Sequence, residues 1–203
     1  MNYRLEYPGH AEALYCSLKE DPFYVVLESA IQSSDSSRQA MLRYMDFSMT
    51  EAQNYGMLFI PDDLEFGAAI WAKPLPKESE NRKKQEKKSF LSRELGPKAL
   101  DTYESIVDYM SARAEPFITA DHWYLSIVGV LPRYQGQGLG AGLIRKVLTM
   151  TDRLQVPTYL ETFTPGTMKF YGRLGYREAA SFPEPITGAA YSLMIREPGT
   201  GPH

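Results

Sequence analysis

The chain has 203 residues, 43% of them hydrophobic and 23% charged, which suits one sizeable globular domain. A formal net charge of -3 argues against a nucleic-acid partner, and no apolar run approaches the ~20 residues that a membrane-spanning helix needs. One cysteine, Cys16, excludes an intramolecular disulfide, and with three histidines (His10, His122, His203) no His/Cys metal cage is expected.

The start, Met1 to Pro8, lacks the apolar core of a secretory signal. A reducing, cytoplasmic setting is therefore expected. In chain order, Asn2 to Glu6 reads as a short edge strand, closed by Pro8-Gly9. His10 to Lys19 has helical spacing through Ala11, Leu14, Cys16 and Leu18, and Pro22 interrupts it. Phe23 to Ile31 reads as helix, with Tyr24-Val25-Val26 leaving a strand as the alternative. Ser33 to Ser37 is a loop rich in N-cap candidates, ahead of a helix with Met41, Leu42, Met45 and Met49 on its apolar face. Two apolar runs, Gly56 to Ile60 and Leu64 to Trp71, flank Pro61-Asp62-Asp63 and predict a β-hairpin. Lys77 to Lys88 is almost wholly charged and reads as a solvated helix or a mobile loop. With the amphipathic run Leu100 to Ala114, it forms an insertion of about residues 77–116, placed to help cover a site.

His122 to Val130 is almost wholly apolar, β-branched or aromatic, as a strand buried on both faces should be. Pro132 ends it, and Gly136, Gly138 and Gly140 crowd the turn into a helix. Leu139, Leu143, Ile144, Val147, Thr151 and Leu154 mark one face of that helix. Thr158 to Phe163 is the next strand. Thr164 as N-cap and Pro165 at the first helical position start a short helix carrying Met168, Tyr171 and Leu174 on one face. Gly175 stands where a left-handed C-cap belongs. Tyr176 to Ala179 and Ala189 to Arg196 pair as a final hairpin, and Pro198 to His203 reads as a loose tail.

Bare N–H groups and the positive end of a helix dipole make the glycine turn an anion site. A triphosphatase loop would need Gly, four residues, Gly, then Lys and Ser/Thr, and no such run exists. Gly136-Gln137-Gly138-Leu139-Gly140-Ala141 fits a dinucleotide fingerprint, but five residues separate it from the strand end, where that motif begins almost at once. A third ligand is the pyrophosphate of coenzyme A. The run Val128-Gly-Val-Leu-Pro-Arg133-Tyr-Gln-Gly136-Gln-Gly138-Leu-Gly140 resembles the acyl-CoA motif of the GNAT-type N-acetyltransferases. The later run Phe170-Tyr171-Gly-Arg-Leu-Gly175-Tyr176 resembles the same family's Phe-Tyr-x-x-Leu-Gly-Phe element. Within the family the stretch from about Trp123 to Glu178 is most similar to the puromycin N-acetyltransferase type.

This resemblance implies an α/β (α+β) fold. One domain would span residues 1–198, followed by a flexible tail at 199–203. Its central mixed, mostly antiparallel sheet would be flanked by helices and splayed around the acyl-CoA site. Acetyl-CoA is the implied co-substrate, with no metal, and the implied acceptor is a small amine, antibiotic-like or amino-acid-like. The alternatives are an amino group of a protein or peptide, or an acyl-CoA sensor without catalysis. Neither nucleic acid nor membrane is an expected partner, and the chain would act as a monomer or homodimer.

By the same resemblance, Val128 and Val130 hold the pantetheine arm through their backbone. The N–H groups from Gln135 through Gly136, Gln137, Gly138, Leu139, Gly140 and Ala141 cradle the pyrophosphate, and Arg133 adds charge. Phe170 and Thr167 border the arm, Thr167 standing where the family often has asparagine. Tyr171 is the implied general acid, because a phenol of pKa ~10 is protonated at neutral pH. For the base there are two candidates: His122 at the strand start, and Glu161, a carboxylate in an apolar strand whose pKa burial would raise. Trp71, Trp123 and Tyr124 are candidate walls of the acceptor pocket. Direct transfer is expected, since Cys16 lies far from both motifs.

Overall fold

The computed structural model describes residues 3–32, 36–61 and 64–200. Proline and capping side chains set its first helices. Helix α1 (Pro8–Leu18) starts with proline in its first turn, where no N–H is missed. Helix α2 (Pro22–Ser29) does the same, and the Asp21 carboxylate accepts the Phe23 N–H at 3.0 Å. Ser36 caps α3 (Ser37–Tyr55) from Gln39 N, 3.3 Å away. The expected first strand is absent over Tyr3–Leu5; Asn2 lies outside the described residues. The fully buried Asp46 of α3 draws this segment away from the sheet. It accepts the Tyr3 hydroxyl at 2.8 Å and the N–H groups of Glu6 and Tyr7 at 2.9 and 2.6 Å.

Strands β1 (Gly56–Phe59) and β2 (Gly67–Ala72) form the expected antiparallel hairpin, although Asp62 and Asp63 of its turn lie outside the described residues, as do residues 33–35 of the earlier loop. The charged run is a helix, α4 (Lys77–Glu94), which buries Phe90 and Leu91, half-buries Lys87 and Glu94, and carries surface pairs such as Glu80–Lys84. Helix α5 (Pro97–Ala114) follows. Then come β3 (Trp123–Val130), α6 (Leu139–Leu154), β4 (Thr158–Thr162), α7 (Pro165–Gly172), β5 (Arg177–Pro183) and β6 (Ala190–Arg196). Leu154 departs from its expected face and is 57% exposed. Thr164 takes the N-cap position of α7 but forms no side-chain cap bond. The tail at Gly199 is tied down by its N–H, 2.8 Å from Asp152 Oδ1, and residues 201–203 lie outside the described residues.

The six strands form one mixed sheet in the order β1-β2-β3-β4-β6-β5. Every pair is antiparallel except β3–β4, which is parallel and lasts for only Trp123↔Thr158 and Tyr124↔Tyr159. Beyond Tyr124 the two central strands part. One face of the sheet packs α1, α2, α3 and the ends of α4 and α5 through Leu14, Leu27, Met41, Met45, Phe90 and Leu95. The other packs α6 and α7 through Leu143, Ile144, Val147, Tyr171 and Leu174. Helix α5 adds Ile106 and Met110 against Phe163 and Tyr191. Burying such side chains stabilises the fold by about 1.5–3 kcal/mol each.

Candidate active site

The parting of β3 and β4 opens a cleft of about 1550 Å³ that runs from the glycine turn to the α4–α5 insertion. Backbone direction on β3 follows from its neighbours. Leu131 donates its N–H to Phe66 O at 2.7 Å, so odd-numbered residues at this end bond toward β2. Val128 and Val130 therefore turn their N–H and C=O groups to the open edge, while their side chains pack toward α6. Val130 is engaged there: its N–H donates to Ser17 Oγ at 3.2 Å and its C=O accepts Gln135 Nε2 at 2.8 Å.

A β-bulge sits midway along this strand. Ile70 pairs with Ile127 and Trp71 with Leu125, which leaves Ser126 out of the ladder, its hydroxyl 3.1 Å from Ile70 O. The extra residue shifts the facing of the strand. Leu125 packs toward α6, whereas Ile127 joins the opposite core. It leaves Tyr124 in the cleft, while Trp71, 1% exposed behind the sheet, and Trp123 do not line it. Of the three expected wall aromatics, only Tyr124 reaches the cleft.

The glycine turn has the local geometry that its composition predicts. Pro132–Tyr134 form one 3-10 turn, and Gly136 and Gly138 follow with φ of 75° and 80°, which L side chains rarely adopt. Gly138 is the N-cap of α6, so the first N–H groups of that helix face the turn. Gln135 N and Ala141 N bond inside the turn, to Pro132 O at 3.2 Å and Gly138 O at 3.1 Å. The N–H groups of Gly136 through Gly140 have no backbone acceptor among the described residues. Gln135, Gly136, Gly138, Leu139 and Gly140 line the cleft, as do Val128 and Val130; Arg133, Gln137 and Ala141 do not. Arg133 instead lies over the Tyr134 ring at 5.0 Å, and Gln137 donates to Arg133 O at 3.3 Å.

Helix α7 brings Phe170, Tyr171 and Thr167 to the cleft. The Thr167 hydroxyl lies 2.7 Å from Thr164 O and 2.9 Å from the Thr162 hydroxyl, which itself accepts Thr164 N–H at 3.2 Å. Its one proton is thus engaged within the helix start. Tyr171 is 8% exposed, and its phenol is raised by burial and by the charge of Asp21, so it stays protonated at neutral pH.

Glu161 of β4 lies in the cleft beside Tyr124 and Tyr159, whose rings stack 4.6 Å apart. Its Oε2 accepts the Tyr124 hydroxyl at 3.0 Å, while Oε1 is buried with no hydrogen-bond partner among the described residues. Burial pushes the carboxyl up to about 7, against the Tyr124 hydrogen bond, which favours the charged form. His122 also borders the cleft. Its Nδ1 accepts the Thr119 N–H at 3.0 Å, an assignment that places the ring proton on Nε2 in the neutral form. The lone pair a base would use is therefore already occupied.

The amino-terminal third supplies residues that sequence patterns did not single out. Asp21 and Tyr24, at the start of α2, line the cleft with Tyr44 and Tyr103. Burial raises the Asp21 carboxyl, opposed by its bonds from the Phe23 N–H and the Thr164 side chain. At the far end, the Lys87 ammonium lies 5.2, 5.2 and 5.9 Å from the ring centroids of Tyr44, Phe47 and Tyr103, and 3.3 Å from Glu51. None of these residues lies in the sequence motifs from which the site was drawn.

Comparison with known proteins agrees with this geometry. Residues 60–176 match the family model described as acetyltransferase (GNAT) family. A Corynebacterium glutamicum structure described as histone acetyltransferase HPA2 and related acetyltransferase superposes with a TM-score of 0.65 at 18% identity, covering 98% of this chain and 94% of that one. Arylalkylamine N-acetyltransferase 2 from Aedes aegypti gives 0.59 at 14% identity, with 97% and 98% covered. The Drosophila melanogaster polyamine N-acetyltransferase gives 0.55 at 14% identity, with 96% and 98% covered. At these identities the structural likenesses establish the fold. The family match spans more than half of the chain, and on it the protein is an enzyme of the GNAT acetyltransferase family.

Proposed function

We propose that the protein transfers the acetyl group of acetyl-CoA directly to the primary amine of a small molecule. One observation carries the reading: a buried carboxyl oxygen on Glu161, without a hydrogen-bond partner among the described residues, shares with the Tyr171 phenol the cleft where β3 and β4 part. Glu161, rather than His122, takes the proton of the incoming ammonium, because its pKa near 7 suits removal at neutral pH. The backbone at Ser126, left out of the β2 ladder, polarises the thioester carbonyl. Tyr171 donates its proton to the leaving thiolate. The turn from Gly136 to Gly140 holds the pyrophosphate, and Val128 holds the arm. Arg133 acts on that phosphate group only through its long-range charge.

Direct transfer is favoured over an acyl-enzyme on Cys16. That thiol does not line the cleft and is raised by burial and by the neighbouring Glu12. The acceptor end is walled by Tyr24, Tyr44, Tyr103, Tyr124 and Tyr159, which favours an amine with an apolar or aromatic body. We read it with the puromycin N-acetyltransferase type, which the lead-in Trp123-Tyr124-Leu125 and the strand Tyr159-Leu160-Glu161-Thr162 resemble, although Trp71 and Trp123 take no part in the wall. Two proteins of like fold are named for arylalkylamine and polyamine acceptors.

The test is thiol release from acetyl-CoA across a panel of aromatic amines, polyamines, amino acids and lysine peptides. Turnover concentrated on the aromatic amines is expected. Cofactor binding without turnover on any amine would favour a sensor and sink the catalytic reading.

A further inference from the structure

The open edge of β3 carries a hydrogen bond from a distant helix. Val130 donates its N–H to the Ser17 hydroxyl at 3.2 Å, across 113 residues of sequence. Ser17 belongs to α1, outside the residues 60–176 that carry the family match. It lines the cleft next to the edge that faces away from β2. Its approach depends on Gly129. A Cβ at Gly129 would stand 3.1 Å from both Cβ and Oγ of Ser17 and 3.0 Å from Leu14 Cδ2, tighter than side chains normally pack. The bare glycine therefore lets α1 lower its serine onto the strand.

A hydroxyl that accepts one hydrogen bond still has its own proton to donate. That proton has no acceptor among the described residues. The Val130 C=O meanwhile accepts Gln135 Nε2 at 2.8 Å, so both backbone groups of Val130 on this edge already have partners, and its N–H is not free to donate to a ligand.

We propose that Ser17 is a cofactor-binding residue whose O–H donates to an amide carbonyl of the pantetheine arm. Val130 then acts on the arm through Ser17, and Val128 makes the direct backbone contact. The two donors point the same way, Val130 N–H to Ser17 and Ser17 O–H to the arm, so each polarises the next. The inference rests on the acetyl-CoA reading above.

Equilibrium binding of three ligands tests it: acetyl-CoA, S-acetylpantetheine, and the phosphorylated adenosine diphosphate fragment that lacks the arm. Ser17→Ala should weaken acetyl-CoA and S-acetylpantetheine by the same factor, about ten-fold. It should leave the nucleotide fragment unchanged, which also reports that the variant is folded. Ser17→Thr keeps a hydroxyl and should retain most of the affinity. Acetyl-CoA binding by Ser17→Ala that equals or exceeds wild type would overturn the proposal, because Ser17 would then be an occupant that the arm displaces. Equal losses for arm and nucleotide would overturn it too. Wild-type protein that binds none of the three ligands would bring down the acetyl-CoA reading itself.

Discussion

Replacing Glu161 by glutamine should change how stability depends on pH, as well as abolish most turnover. Burial holds the Glu161 carboxyl at about 7, against an ordinary value of 4.5. Between those two values the folded protein keeps a proton that the unfolded chain has released. Stability from this site is therefore fully present below about pH 4.5 and is lost as pH rises through about 7. At ~1.4 kcal/mol per unit, the loss amounts to about 3 kcal/mol. Glutamine mimics the neutral acid and accepts the Tyr124 hydroxyl in the same place. Urea unfolding should find Glu161→Gln within about 1 kcal/mol of wild type near pH 5, and more stable by about 3 kcal/mol above pH 8. A stability difference that stays flat across that range would refute the raised carboxyl and, with it, Glu161 as the base. In turnover, the acidic limb of the pH–rate profile should vanish with the carboxylate.

Three other substitutions test the remaining parts. Tyr124→Phe removes the hydrogen bond that favours ionised Glu161, so the acidic limb of kcat/KM should move to higher pH; an unmoved limb would detach Tyr124 from the base. Tyr171→Phe should lower kcat by about 10²–10⁴-fold with little change in acetyl-CoA affinity, and near wild-type kcat would remove the phenol from the mechanism. Lys87→Met leaves Glu51, whose side chain is 15% exposed, without its cation and should cost about 2 kcal/mol in urea unfolding. Adding Glu51→Gln should restore part of that loss, and a single variant as stable as wild type would show that the ammonium does not pin α4.

Most elements were legible where local chemistry dictates local structure. The glycine turn requires positive φ at Gly136 and Gly138, Pro165 starts α7, and Gly175, at φ 94°, follows its end. The periodicity of α6 identified Leu143, Ile144, Val147 and Thr151 as buried, but not the ends of the face: Leu139 is half-buried at the cleft and Leu154 is exposed in the last turn. Relations between distant segments were not legible. Nothing in Tyr3-Arg4-Leu5 announces that Asp46 will capture its neighbours and keep it out of the sheet. The bulge at Ser126 has no residue signature, yet it sets which side chains of β3 face the cleft and which face α6. Strand alternation correctly paired Val128 with Val130 on one edge, but the hydroxyl waiting at Val130 comes from a helix more than a hundred residues earlier. Glu161 stood out because a carboxylate in an apolar strand is anomalous. Asp21 did not, because it lies in the amino-terminal third, outside both motifs that carry the resemblance.

The brevity of the β3–β4 pairing has a mechanical consequence. Two residue pairs hinge a half-sheet of β1, β2 and β3 to one of β4, β6 and β5. A ligand laid along the open edge of β3 acts as a splint across that hinge. The cleft draws Tyr124, Val128 and Val130 from one half and Tyr159, Glu161 and Thr162 from the other; the Tyr124–Tyr159 rung pins its narrow end, so the splint acts on its wide end.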